Sequence, residues 1–439
     1  MLALKNILLA SRNPSRDAYI WNTASSYLNS FQTMVLLLVV TQLGNVNDAS
    51  IFVMAYAVGN LMLNIGRYGT RQFQVTDIQE KYSFRDYVNS RKFSMVLFVA
   101  AMVAYLAWGV AGKDYTFEKT AVIALICAYK GIEAFEDVFH GRMQQLGRLD
   151  VATKILTIRL GLFIAGYGIC YFATRDLMLT TAINVALTAV LSLVMNSSVM
   201  GEFRGKVGSC TDGVAGGGAV VGSAPAKFPR GLLLECLPIA LTTVLGMYLC
   251  NAPKYIIDGV VSDEIQTCFN IVFMPVFVVA LLSNLIFNPC LRKMGVLWTE
   301  GKFAEIRSMI LKLTLVPVGI GAVVTLAGAW IGLPILGFVY GIDVSNYFSE
   351  LVLFLAVSGV ISILNLYAMV LTTMRKQKHM LYCYVAGSIL MIVLGRIILI
   401  QMGLVPLCWI FLAVWILAAI YCMSVAMVTI RSAEKSSMK

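Results

Sequence analysis

Residues 350–373 read ELVLFLAVSGVISILNLYAMVLTT, and the chain then turns basic at Arg375, Lys376 and Lys378. The run carries a single charged residue, Glu350, at its start. At 1.5 Å of rise per residue a helix of this length crosses a hydrocarbon core about 30 Å thick. Its polar residues Ser358, Ser362, Asn365 and Thr372 lie four, three and seven residues apart and so gather towards one side of a helix. The reading is a membrane-spanning helix with one polar stripe and a basic exit.

Working outward, the same pattern fills the chain. The hydrophobic share is 59%, the charged share 13% and the mean hydropathy +0.80, where a soluble domain is about half apolar and a quarter charged. Twelve spans are expected, at 18–42, 49–71, 89–111, 118–141, 152–173, 178–200, 231–253, 266–289, 308–330, 350–373, 380–400 and 405–429. The fold class is all-α and polytopic.

Cytoplasmic loops carry the excess of Lys and Arg. Placing the amino terminus inside puts 27 of the 34 basic residues in inside segments. Both termini are therefore expected in the cytoplasm. The same distribution accounts for the net charge of +11 without nucleic acid, because the basic residues recur at span ends and form no single patch. The amino-terminal basic segment lacks a small-residue cleavage site, so the first span is expected to be retained.

The Gly-rich stretch 204–229 reads as a cytoplasmic linker between an amino-terminal six-helix lobe, 1–203, and a carboxy-terminal one, 230–439. A faint internal echo supports two parallel halves: Glu80 to Asp86 opens the third span and Glu300 to Glu305 the ninth.

Polar groups inside spans are costly in lipid and normally face a bundle interior or a wet cavity. The first span carries Asn22, Ser25, Ser26, Asn29 and Thr33, and the second Asn60, Asn64, Arg67 and Arg71. The fourth carries Lys130, Glu133, Glu136, Asp137 and His140, each set in helical register. In the second half Asn251, Lys254 and Asp258 share a face. Two readings stand for several of these. Arg67 and Arg71 either face a cavity or snorkel to headgroups. Lys254 and Asp258 are either a site or an interfacial pair, and the fourth-span stripe is either a pathway or a lock between helices. Glu133, Glu136, Asp137 and Asp258 are the candidates for coupling to protons or sodium ions, because buried carboxylates titrate in unusual ranges.

The chain has two histidines and no HExxH, Walker or GxSxG motif, so no metal site, cofactor or enzymatic activity is expected. Nine of its ten cysteines lie in or beside apolar runs without CxxC spacing and read as small hydrophobes.

Three segments carry a family resemblance. They are Gly66-Arg-Tyr-Gly-Thr-Arg-Gln-Phe-Gln-Val-Thr-Asp77, Lys130-Gly-Ile-Glu-Ala-Phe-Glu-Asp-Val-Phe-His-Gly-Arg-Met-Gln-Gln145 and Asn251-Ala-Pro-Lys-Tyr-Ile-Ile-Asp258. They resemble polysaccharide flippases of the Wzx type, from the superfamily that also holds multidrug and toxin extrusion pumps and lipid II flippases. The resemblance implies a pair of bundles that moves an undecaprenyl-diphosphate-linked oligosaccharide across the bacterial cytoplasmic membrane. It also implies membrane lipids, a polysaccharide polymerase and glycosyltransferases as partners. On this reading Arg67, Lys130, Arg159 and Arg396 meet the diphosphate, and Asn22, Asn29, Asn60 and Asn64 the sugar hydroxyls. Three rivals remain: a small-molecule exporter of the same superfamily, a membrane polymerase or ligase, and a non-transporting scaffold for a glycan assembly complex.

Overall fold

A computed structural model describes residues 2–77, 81–204 and 229–437, and these are helical with short connections. The helices are α1 Leu2–Leu9, α2 Pro14–Leu43, α3 Val46–Arg67, α4 Thr70–Thr76, α5 Phe84–Lys113, α6 Phe117–Gln145, α7 Leu149–Thr174 and α8 Leu177–Arg204. There follow α9 Arg230–Ile257, α10 Asp263–Phe273, α11 Val278–Thr299, α12 Phe303–Ala327, α13 Leu333–Tyr340, α14 Phe348–Thr373, α15 Lys378–Met402 and α16 Leu404–Ser437. Most of the expected linker, 205–228, lies outside the described residues, as does Glu80 of the internal echo.

Among the described residues, ten helical segments are long and apolar enough to cross a membrane. The fourth expected span, α6, is as long as its neighbours but carries too many charges to count among them. The eighth is broken. α10 stops at Phe273, residues Met274–Phe277 form a 3₁₀ turn, and α11 continues from Val278. Pro275 lies in that turn and has no backbone N–H to give to the helical ladder. With these two the expected dozen rods are present.

Local chemistry sets the ends. Asn13 caps α2 ahead of Pro14, Thr116 caps α6, and Ser83 and Asp86 form a reciprocal capping box on α5. Two differences from the expected spans change the path of the chain. The second span does not run through to Arg71, because Tyr68 and Gly69 both take positive φ, 50° and 64°, and turn the chain into α4. A Cβ on Gly69 would stand 2.6 Å from Cγ2 of Ile239, so this corner needs glycine for space as well as for torsion. The expected outside loop 331–349 is largely helix, since α12 continues through a wide turn at Gly328–Gly332 into α13 as far as Tyr340.

The described chain divides into two compact units, Met1–Gly44 with Ile51–Val244, and Asn45–Ser50 with Leu245–Lys439. The division falls inside α9. In the first unit α2 packs on α7 and α6 on α8, and Leu8, Met143, Val151, Ile155, Met195 and Val199 form a core at the α1 end. In the second unit α14 is the central rod, packed by α11, α12 and α16. Phe354 of α14 meets the rings of Phe273 and Phe269 at centroid distances of 4.8 and 5.1 Å.

Candidate functional site

The site is built on the charged face of α6 in the first unit. Its residues Lys130, Glu133, Glu136, Asp137 and His140 are all buried, because a charged stripe at three- to four-residue spacing points into the bundle and away from lipid. Buried charge needs partners, and each carboxylate has them. Glu133 receives Lys130 Nζ at 2.9 Å, Arg159 Nη2 at 3.1 Å and the Tyr129 hydroxyl at 3.1 Å. Gln32 of α2 in turn donates to that hydroxyl at 2.8 Å. Glu136 accepts from Asn196 Nδ2 at 2.9 Å and lies 3.0 Å from Arg159 Nε, a close ion pair out of line for a hydrogen bond.

One turn on, Asp137 gathers arginines from three helices. Arg71 Nη1 of α4 lies at 3.0 Å, Arg91 Nη2 of α5 at 3.2 Å and Arg67 Nε of α3 at 3.9 Å. Arg91 is fully buried and also donates to the Gly66 carbonyl, which Ser94 Oγ reaches at 2.7 Å. Five cations thus face three carboxylates, leaving a formal excess of positive charge.

Two polar cavities flank this cluster. One, of about 190 Å³, is lined by Asn22, Ser25, Ser26 and Asn29 of α2, by Arg67 and Arg71, by Glu133 and His140, and by Thr153 of α7. The other, of about 210 Å³, is lined by Asn64, Arg67, Gly69, Arg71, Gln72, Asp137 and Thr243. Arg67 and Arg71 belong to both. Arg67 Nε and His140 Nε2 are buried without a hydrogen-bond partner.

The structure therefore brings Asn22, Asn29, Arg67 and Glu133 to one cavity and Asn64, Arg67 and Asp137 to the next. Lys130 and Arg159 stand behind them in ion pairs, and Lys130 also lies over the Tyr129 ring at 4.9 Å. Asn60 is half-buried, and its carbonyl accepts from Asn64 at 2.9 Å. Arg396 belongs to the second unit, where it is exposed on α15. Asp258 is buried in that unit, accepting from Gln266 at 3.4 Å, and Lys254 lies 4.6 Å from the centre of the Phe273 ring.

Two contributors escaped the sequence reading. Arg91 is not among the residues singled out from the sequence, yet Tyr87, Ser90, Arg91 and Ser94 recur at helical spacing and all are buried. On α8 the residues Asn184, Thr188, Ser192 and Asn196, four apart, form a buried polar line ending at Glu136. Outside the spans, Asp77 closes the α4–α5 connection. Burial alone would raise its carboxyl, but the Tyr87 hydroxyl at 2.7 Å and the Lys81 and Tyr82 amides hold it below the ordinary carboxylate range.

No protein-family profile matches the chain, and no curated protein sequence matches it. Solved structures do. An inward-facing multidrug resistance MATE family transporter of the MOP superfamily superposes with a TM-score of 0.67 at 12% identity, over 96% of this chain and 99% of that one. An outward-facing multidrug resistance MATE family transporter gives 0.58 at 15% identity, over 98% of each chain. A MOP superfamily transporter from Pyrococcus furiosus, described as having a binding pocket of reverse polarity, gives 0.59 at 14% identity over 98% of each. The chain has the all-helical, polytopic fold of these transporters.

Proposed function

We propose that this chain is a transporter, not an enzyme, and that it flips an undecaprenyl-diphosphate-linked oligosaccharide from the inner to the outer leaflet of the bacterial cytoplasmic membrane. The observation that carries the reading is the pair Arg67 and Arg71, which forms the common wall of two polar cavities inside a cluster of net positive charge. Forked guanidinium donors match the oxygens of a diphosphate. The amides and hydroxyls of α2 beside them suit the hydroxyl groups of a sugar. Proteins of this fold occur in inward- and outward-facing forms, which supports alternating access as the mechanism. Both termini lie in the cytoplasm on this reading, and the glycan passes from glycosyltransferases to a polymerase on the far side.

The neighbours named as multidrug transporters favour a second reading, export of a small molecule. The excess of cations at the cluster disfavours amphipathic cations as its cargo and leaves anionic ones. The deciding experiment reconstitutes the purified protein in liposomes with a labelled undecaprenyl-diphosphate oligosaccharide and follows leaflet exchange. Protein-dependent exchange that falls in Arg67→Ala, with folding intact, supports the flippase. Absence of exchange across a panel of lipid-linked glycans, with uptake of a small organic anion instead, selects the exporter.

A further inference from the structure

The second unit holds a feature that the transport reading does not use. Between α15 and α16 runs a groove of about 340 Å³, lined by Tyr382, Cys383, Ala386, Gly387, Leu390, Val414, Leu417, Ala418 and Tyr421. Small residues make it. A Cβ on Gly387 would stand 2.9 Å from both Leu249 and Val414, so the floor is as low as the packing allows, and Ala386 and Ala418 add little height. The rims are exposed: Tyr382, Leu390, Leu417 and Tyr421 all rank among the exposed large hydrophobics, as do Ile389, Ile392 and Val393 beside them on α15. In a helix that crosses a membrane, an exposed apolar rim opens onto lipid.

The groove has one charged end. Tyr421 at its mouth accepts from or donates to His379 Nδ1 at 2.8 Å, which ties the start of α15 to α16. Within a turn of that bond stand Arg375, Lys376 and Lys378, all exposed. From Tyr382 to Leu390 the helix rises roughly 12 Å, close to the ~15 Å of one leaflet's hydrocarbon. An apolar slot one leaflet deep, with cations at its mouth, matches an amphiphile with a hydrocarbon chain and an anionic headgroup.

We propose that this groove binds an anionic phospholipid of the bilayer, with one acyl chain between α15 and α16 and the phosphate against Arg375, Lys376 and Lys378. Charge complementarity selects the occupant: basic residues at the membrane surface favour anionic over zwitterionic lipids. The inference is independent of what the transporter carries, and binding can be read without any transport assay.

The test is native mass spectrometry of the full chain released from vesicles of equimolar dioleoylphosphatidylglycerol and dioleoylphosphatidylcholine. Wild type is expected to retain phosphatidylglycerol in preference. The exposed double variant Lys376→Glu/Lys378→Glu should lose that preference, by about twenty-fivefold if each lysine contributes about fivefold. The filled groove of Ala386→Leu/Ala418→Leu should lower retention of both lipids. Equal retention of the two lipids by wild type overturns the proposal, as does unchanged preference in the charge-reversed variant, which leaves the core untouched and so does not depend on whether the filled variant folds. A dimer that excludes lipid and is broken by filling the groove would assign the slot to a second copy of the chain instead.

Discussion

Arg159 Nη2 lies 3.1 Å from Glu133 Oε1, both side chains buried, and through this bond α7 is fastened to the charged face of α6. The same guanidinium reaches Glu136 at 3.0 Å. A single cation thus serves two carboxylates of neighbouring turns, with Lys130 completing the partners of Glu133.

Removing that cation leaves two buried carboxylates short of charge, and breaking a buried pair costs about 3–5 kcal/mol. Arg159→Met is expected to lower the thermal midpoint of the detergent-solubilised protein sharply. Arg159→Met combined with Glu136→Gln should recover part of the loss. A midpoint in the single variant equal to wild type would show that the pair contributes nothing to stability.

Arg67 is differently placed. Its side chain is 41% exposed and its Nε has no hydrogen-bond partner, so little of the fold rests on it. Arg67→Ala should therefore leave the thermal midpoint within a few degrees of wild type while cutting leaflet exchange about tenfold or more, the loss of one charge-assisted contact of ~1.5–3 kcal/mol. Arg67→Lys keeps the charge without the fork and should fall between the two. Stopped-flow quenching of a labelled lipid-linked glycan measures all three.

At the α3–α4 corner Gly69→Ala meets both the positive φ and the 2.6 Å approach to Ile239. The left-handed torsion alone costs an L-residue about 1–2 kcal/mol. Gly69→Ala is expected to be destabilised by at least that amount, and Ile239→Ala in the same chain should relieve the steric share but not the torsional one. Denaturation midpoints of the three variants separate the two contributions.

The Asp77 carboxyl lies below the ordinary carboxylate range in the folded chain. A depressed folded value stabilises the protein above the unfolded value, near 3.9, and that contribution is lost as the pH falls through the folded one. Thermal midpoints should drop as the pH is taken from about 5 towards 3. Asp77→Asn should lower the midpoint at pH 7 and flatten its acid dependence; an unaltered acid limb would remove Asp77 from the explanation. Tyr87→Phe, which deletes the 2.7 Å bond, should act in the same direction but less strongly.

The rods were legible because lipid imposes one rule, an apolar run of fixed length, on every span. The stripes of the first, second and fourth spans were legible for the same reason, since polar groups in register have to face inwards. What could not be read was depth. Arg91 and Lys92 are adjacent basic residues at the start of a span, and only the three-dimensional packing decides that Arg91 is buried beside Asp137. Nor does sequence distinguish a proline that breaks a rod from one that does not. Pro275 ends α10, whereas Pro317 lies inside an unbroken α12. Arg396 shares its composition-level credentials with Arg159, yet one lies on an exposed surface and the other between two carboxylates.

The corner at Tyr68 and Gly69 has a mechanical meaning. Two arginines on one straight helix keep a spacing fixed by the helical screw. Arg67 and Arg71 stand on either side of a bend, so the opening of their jaws is set by two pairs of backbone torsions. On the proposed function, selection for a larger or smaller anion would act on the bend at residues 68 and 69 before it altered any group on the cavity wall.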